Sequence, residues 1–301
     1  MAEVSSLHKP TANRAPRLRW DARPWLLCGP GAVFFLVMLG VPLVMTVVLS
    51  LYGFSYTEGL IETRTLASYR EALVDPYFHE IFLRTYALGV GVTLICVVLG
   101  APEAYVISKL RPPWRTICLL AALGPLLVSV IVRTLGWVLL LGNHGLVTEA
   151  LRFVGLTDRS LMYTHTGMVI ALVHVFVPFM VISVWAALKK VDPATEQAAL
   201  SLGASKFTML RRVVLPQVLP GILSGSLIVF ALTASAFATP AIIGERRLKV
   251  AATAIYDEYL STSNWPLGAA LAMILLVLNA LVIFAYNRLV ERRYRKTLGE
   301  A

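Results

Sequence analysis

Long apolar runs separated by short polar connections organise this chain. Six of them hold enough apolar residues to cross about 30 Å of hydrocarbon as helices of roughly 20 residues. They run from Leu26 to Leu51, Phe82 to Ser108, Ile117 to Leu141, Gly167 to Leu188, Val218 to Pro240 and Leu267 to Tyr286. The first follows Arg14, Arg17, Arg19 and Arg23, as a signal peptide would, but it continues past Pro42 to Leu51. That exceeds the roughly 7 to 15 apolar residues of a cleaved signal, so the run reads as retained.

The polar segments divide the rest. Residues 1–25 are basic and Pro-interrupted and read as a disordered tail, 26–290 as one transmembrane domain, and 291–301 as a second tail. In the connection from Tyr52 to Ile81, Leu66, Tyr69 and Leu73 predict a short amphipathic helix ending near Asp75-Pro76. The long connection, 189–217, is patterned as helix. Asp192 is a good N-cap, and Pro193 suits a first helical position, where its missing N–H costs nothing. Thr195 to Leu202 is rich in strong helix formers, and Gly203 can take the left-handed conformation that ends a helix. A second helical segment, Lys206 to Val214, is expected to run into Leu215-Pro216, where the chain turns towards the fifth span. Small side chains at Ala194, Ala198 and Ala199 suit insertion into a partner's groove, and an interfacial helix is the alternative.

Composition supports the bilayer reading: 57% of residues are hydrophobic and 15% charged, and the mean hydropathy is +0.73. A soluble domain with a charged skin is excluded. Charge then sets orientation, because basic residues concentrate in short cytoplasmic loops. With the N-terminus inside, 18 of the 27 Lys and Arg fall inside and 8 outside, leaving Arg133 within a span. Both termini are therefore expected in the cytoplasm. The net charge of +10 is topological and does not mark a nucleic-acid binder. Cys28, Cys96 and Cys118 form no C-x-x-C pair and read as small apolar residues. No G-x-x-x-x-G-K-[ST] phosphate loop occurs, and no Ser/His/Asp set or carboxylate pair at catalytic spacing points to an enzyme.

Gln197-Ala198-Ala199, then Gly203, Val213, Leu215 and Pro216 resemble, spacing for spacing, the EAA loop of ABC importer permeases. That pattern reads Glu-Ala-Ala, three residues, Gly, nine residues, an aliphatic, one residue and Leu-Pro. Gln197 departs from it, with Glu196 just before as a substitute, and Ala204 follows Gly203 in a Leu-Gly-Ala-Ser string. Ser68-Tyr69, Ala101 to Tyr105, Val132-Arg133-Thr134 with Trp137, and Phe237 to Pro240 are similar to the longer permease subunit of spermidine/putrescine importers.

The resemblance implies an all-α, type I importer fold with six transmembrane helices in the bacterial inner membrane. It implies two cytoplasmic ATPases using ATP and Mg²⁺, a second homologous permease, and an external solute-binding protein. No cofactor is expected on this chain. Glu196, Gln197, Ala198, Ala199, Gly203, Ala204, Leu215 and Pro216 would then form the ATPase-coupling loop.

Glu103, Arg133 and Trp137 are candidates for the substrate pathway, since ionisable groups within spans usually face protein or water. The alternatives are a structural ion pair or backbone contact for Arg133, and an interfacial or Lys109-paired carboxylate for Glu103. His174, near Pro178, is expected to hydrogen-bond a neighbouring helix. Other cargoes for such a permease are an opine, an amino-acid derivative, thiamine, an anion such as sulfate, or ferric ion. An ion-gradient secondary transporter is a rival from another class, although no inverted half-repeat stands out.

Overall fold

The computed structural model describes residues 23–155, 160–245 and 247–299, so residues 1–22 of the tail expected over 1–25 lie outside the described residues, while 23–25 open the first helix. The chain divides into two units, Met1–Met45 and Thr46–Ala301. Helix α1 (Arg23–Ser50) begins in the first, apolar along its length with Pro30 and Pro42 inside it.

The second unit opens with a small antiparallel hairpin, β1 (Tyr52–Ser55) and β2 (Gly59–Arg64), the one departure from an all-helical chain among the described residues. Gly59 closes its turn at φ +77°, which glycine adopts without penalty. The expected surface helix follows as α2 (Ala67–Val74), and it stops at Asp75. The Asp75 side chain accepts a hydrogen bond from Tyr77 N at 2.8 Å and so caps α3 (Pro76–Lys109).

Then come α4 (Trp114–Leu123), a 3₁₀ turn (Gly124–Leu127), α5 (Val130–Leu141), α6 (Leu146–Phe153) and α7 (His165–Leu188). After α7 the chain forms α8 (Pro193–Ser201), α9 (Lys206–Met209), a π turn (Leu210–Val214) and α10 (Leu215–Ala234). A second π segment (Pro240–Gly244), α11 (Ala251–Leu260) and α12 (Trp265–Gly299) complete it.

Six helical segments are long and apolar enough to cross a membrane: Cys28–Ser50, Pro76–Lys109, Val130–Phe153, His165–Leu188, Lys206–Ala234 and Trp265–Arg292. The third and fifth differ from expectation. The run from Ile117 to Leu141 is not one helix, because Pro125 has no N–H and the backbone becomes extended at Val128. The fifth ends at Ala234 rather than Pro240, since in a continuing helix the Pro240 ring would strike the Ala236 carbonyl. It also starts earlier, at Lys206. The expected turn at Leu215-Pro216 is absent, because the π turn passes Leu215 N–H to Leu210 O, five residues back, and opens room for Pro216.

Helices α3, α7 and α10 form the core. Val92, Cys96 and Ala104 of α3, Met180, Val181 and Val184 of α7, and Val229 of α10 are almost fully buried. Lipid is as apolar as these side chains, so packing and close approach hold the helices together rather than water exclusion. Glycines provide the approach. A Cβ on Gly100 would lie 2.9 Å from Met180 Cγ, and one on Gly225 2.8 Å from Met180 Sδ, so Met180 is wedged between two helices that carry no side chain there. A second cluster at one end joins α2, α3, α11 and α12 through Ala72, Phe78, Ala254 and Leu271. There Thr85 Oγ1 accepts from Ala251 N at 2.8 Å and fixes the start of α11.

Replacement of Gly221 by Ala would put a Cβ 2.5 Å from Ala187 Cβ and 2.8 Å from the Ser183 carbonyl, and backbone cannot yield as a flexible side chain can. Gly221→Ala should therefore cost about 1–3 kcal/mol as an overpacked seam. Gly91→Ala meets nothing within 4 Å and should stabilise α3 by up to about 1 kcal/mol through helix propensity. Thermal unfolding of the detergent-solubilised protein should show opposite shifts for the two variants.

Candidate functional site

Two features stand out at the ends and along the flank of this core: the α8 loop and a groove within the membrane-spanning part.

The loop is built as the local sequence predicts. Asp192 Oδ1 accepts from Ala194 N at 2.9 Å, Pro193 occupies the first helical position, and Thr195 Oγ1 donates to Asp192 O at 2.7 Å. The far end closes as a Schellman motif, with Gly203 N bonded to Leu200 O at 3.0 Å and Ala204 N to Ala199 O at 3.1 Å. Gly203 sits at φ +84°, where an L side chain is strained. Ser205 then caps α9 by accepting from Thr208 N at 3.2 Å.

The candidate loop residues divide by exposure. Ala194, Gln197 and Ala198 face outward with Leu200 and Leu202, and Leu202 is 88% exposed. Phe207, 72% exposed, extends this surface past the Gly turn. Ala199 instead packs against the core cluster, so the small-residue face is narrower than the three alanines suggest. Leu215 and Pro216 are exposed on the helix that leaves the π turn.

Glu196 turns inward. Its carboxylate is buried and takes both oxygens to Lys109 Nζ, at 2.7 and 2.6 Å. Lys109 is the last residue of α3, and Glu196 lies in the first turn of α8. Each charge thus complements the helix dipole at its own position. Lys109 also lies 5.2 Å from the centroid of the Tyr105 ring. Glu196 is therefore an internal clasp, and it does not replace the outward carboxylate missing at Gln197. The same pair removes Lys109 as the partner expected for Glu103.

The groove has a volume of about 710 Å³ and is lined by residues of α3, α4, the 3₁₀ turn, α5 and α7, among them Glu103, Pro125, Trp137, His174 and Pro178. Two of the three pathway candidates, Glu103 and Trp137, thus share one cavity. Arg133 does not line it. Its Nε and Nη1 are buried without a hydrogen-bond partner among the described residues, and its charge acts on the nearby His174. His174 forms the helix-to-helix bond expected of it: Trp137 Nε1 donates to His174 Nδ1 at 3.1 Å, with the rings edge to face at 5.5 Å. A neutral His174 then carries its proton on Nε2.

At the opposite end from α8, Asp257 pairs with Lys249 at 2.7 Å and Glu258 accepts from Thr262 Oγ1 at 2.7 Å. Burial draws the Lys249 pKa down, but hydrogen bonds to Asp257 and Tyr77 outweigh it and leave the ammonium favoured. Burial, with Glu258 and Asp75 adding repulsion, raises the carboxyl of Glu71. Tyr256 lies against Phe237, with ring centroids 4.8 Å apart.

Comparison with known proteins gives four findings. Residues 32–296 match the family described as the binding-protein-dependent transport system inner membrane component. The spermidine/putrescine transport system permease protein PotB of Haemophilus influenzae is 30% identical over 226 residues, covering 73% of this chain and 79% of that protein. The sulfate transport system permease protein CysT of Salmonella typhimurium is 25% identical over 270 residues, covering 88% and 95%. Among solved structures, the bacterial alginate ABC transporter in complex with its pentasaccharide-bound periplasmic protein aligns with a TM-score of 0.73 at 18% identity, over 92% of this chain and 98% of that one. This last likeness shows the fold.

Breaking the clasp should loosen α8 without unfolding the core. Glu196→Gln leaves Lys109 unpaired, and Lys109→Gln strands a buried carboxylate at a cost on the order of 1–3 kcal/mol. Faster hydrogen exchange is expected over residues 193–204 in both variants, with protection restored in the exchanged pair Lys109→Glu/Glu196→Lys.

Proposed function

The chain belongs to the binding-protein-dependent transport system inner membrane component family, the permeases of ABC importers, and we propose that its cargo is a polyamine of the spermidine or putrescine type. It is a multi-pass transport subunit of the bacterial inner membrane. In the proposed machine this chain pairs with a second homologous permease and receives solute from an external binding protein. Two cytoplasmic ATPases bind ATP and Mg²⁺, and both termini of this chain lie on their side of the membrane, as the excess of Lys and Arg there favours.

The observation that carries the reading is the construction of α8. A nine-residue helix is capped at both ends, fastened to α3 by one buried carboxylate, and left with small residues and the exposed Leu202 and Phe207 pointing away. A rigid peg of this kind suits a groove on a partner. Gln197, neutral where an acidic residue is usual, leaves docking to shape and apolar contact. Motion of the ATPases would then reach the spans through α8 and alternate the access of the permease pair.

Similarity over most of the chain to a spermidine/putrescine permease supports the cargo. The weaker likeness to a sulfate permease, together with two Arg133 nitrogens left unpaired among the described residues, supports an anion as the second reading. Opines, thiamine and ferric ion remain cargoes of the same architecture.

Ala198→Asp places a charge on the docking face, and Gly203→Asp distorts the turn that ends it. Both variants should reach the membrane in normal amount yet fail to co-purify the ATPase, and retention of ATPase by both would overturn the docking assignment. Uptake by proteoliposomes holding the whole importer should be seen with putrescine or spermidine, whereas uptake of sulfate alone would replace the cargo.

A further inference from the structure

Glu103 is a carboxylate within a membrane span that has no partner. Among the described residues the ion pairs are Arg84 with Glu80, Lys109 with Glu196, and Lys249 with Asp257, and no hydrogen bond reaches Glu103. The basic residue one to two turns away on its own helix, Lys109, is held at both oxygens of Glu196. A charged group at membrane depth costs about 2.5–3.5 kcal/mol on insertion scales and usually has a counter-charge or a water-filled cavity. Glu103 opens into the groove of about 710 Å³.

The other walls of that groove offer complementary chemistry. Trp137 presents an indole whose rotation is fixed by its bond to His174 at 3.1 Å. Pro125 and Pro178 line the groove and carry no N–H, so the carbonyls four residues back, of Ala121 and His174, lose their usual helical donor. Ala121 and His174 line the groove as well. A carboxylate and an aromatic face are acceptors for N–H donors and for positive charge. Arg133, near His174, is not among the residues that line the groove.

We infer that this groove is an intramembrane subsite for an alkyl ammonium, with Glu103 as its counter-ion and the Trp137 indole as its apolar wall. The inference rests on the proposed polyamine cargo and deepens it by placing one ammonium of that cargo on this chain. His174 is a positioning residue that holds the indole.

The test uses the complete importer with its binding protein in proteoliposomes, with putrescine and spermidine as probes and co-purification of all subunits as the check on assembly. Glu103→Gln should slow uptake at low substrate by about tenfold, the loss of one charge-assisted contact. Glu103→Asp should retain most of the rate, and Trp137→Ala should raise the KM more than Trp137→Phe. Glu149→Gln, a carboxylate of α6 outside the groove, should match the wild type. Polyamine uptake unaffected by Glu103→Gln in an assembled complex overturns the groove assignment alone. A wild-type importer that carries a different organic cation, slowed by Glu103→Gln, supports the groove and replaces the polyamine reading. One that carries an anion or an uncharged solute overturns both.

Discussion

The close crossing of α3, α7 and α10 is the constraint on which the remaining features depend. Met180 occupies space that Gly100 on one side and Gly225 on the other leave free, and Gly221 lets α10 approach the backbone of α7 at Ser183. In lipid, helices gain little by hiding apolar surface from each other, so the absence of side chains at these positions determines which faces meet. Once those faces are used, the flank of α3 and α7 that carries Glu103 and His174 is left open as a groove. Their ends, Lys109 and Leu188, are left to support α8.

Polar groups within this framework are few, and each has a specific setting. Thr134 and Thr239 share a buried contact of 3.1 Å that joins α5 to the second π segment. Thr85, Thr93 and Thr233 donate to carbonyls four residues back, which satisfies their hydroxyls within the helix. Lys109 and Glu196 satisfy each other. Glu103 and Arg133, both half-buried, stand apart because neither finds a counter-charge among the described residues.

Much of this was legible in the sequence where the signal is local. Asp192-Pro193 and Gly203 gave the bounds of α8 to within a residue, because capping chemistry acts over three or four positions. Leu66, Tyr69 and Leu73 marked where α2 lies but not its buried face, which is Ser68 and Ala72. The break in the third span was hidden because Gly124 and Pro125 are flanked by leucines, and hydropathy averages over apolar breakers as readily as over apolar formers. The π turn left no trace except a proline inside a helical pattern. The hairpin was masked by its brevity, four and six residues within a connection read for its helix. The clasp joins residues 87 positions apart, and the groove draws on four helices, so neither exists until the fold brings its parts together.

One helix links the two candidate sites. Glu103 and Lys109 are six residues apart on α3, about 9 Å at the α-helical rise of 1.5 Å per residue. Lys109 is where α8 is fastened, so force applied to α8 enters α3 at its last turn. Pro102, inside α3 next to Glu103, removes the hydrogen bond that would stiffen this part of the helix, and bending is therefore easiest there. A displacement of α8 then moves Lys109 with it and changes the angle at which Glu103 meets the groove. That connection would tie the proposed docking of α8 to the proposed cation subsite through a single covalent element. It depends on Glu196 facing inward to Lys109 rather than standing in for the acidic residue that Gln197 replaces.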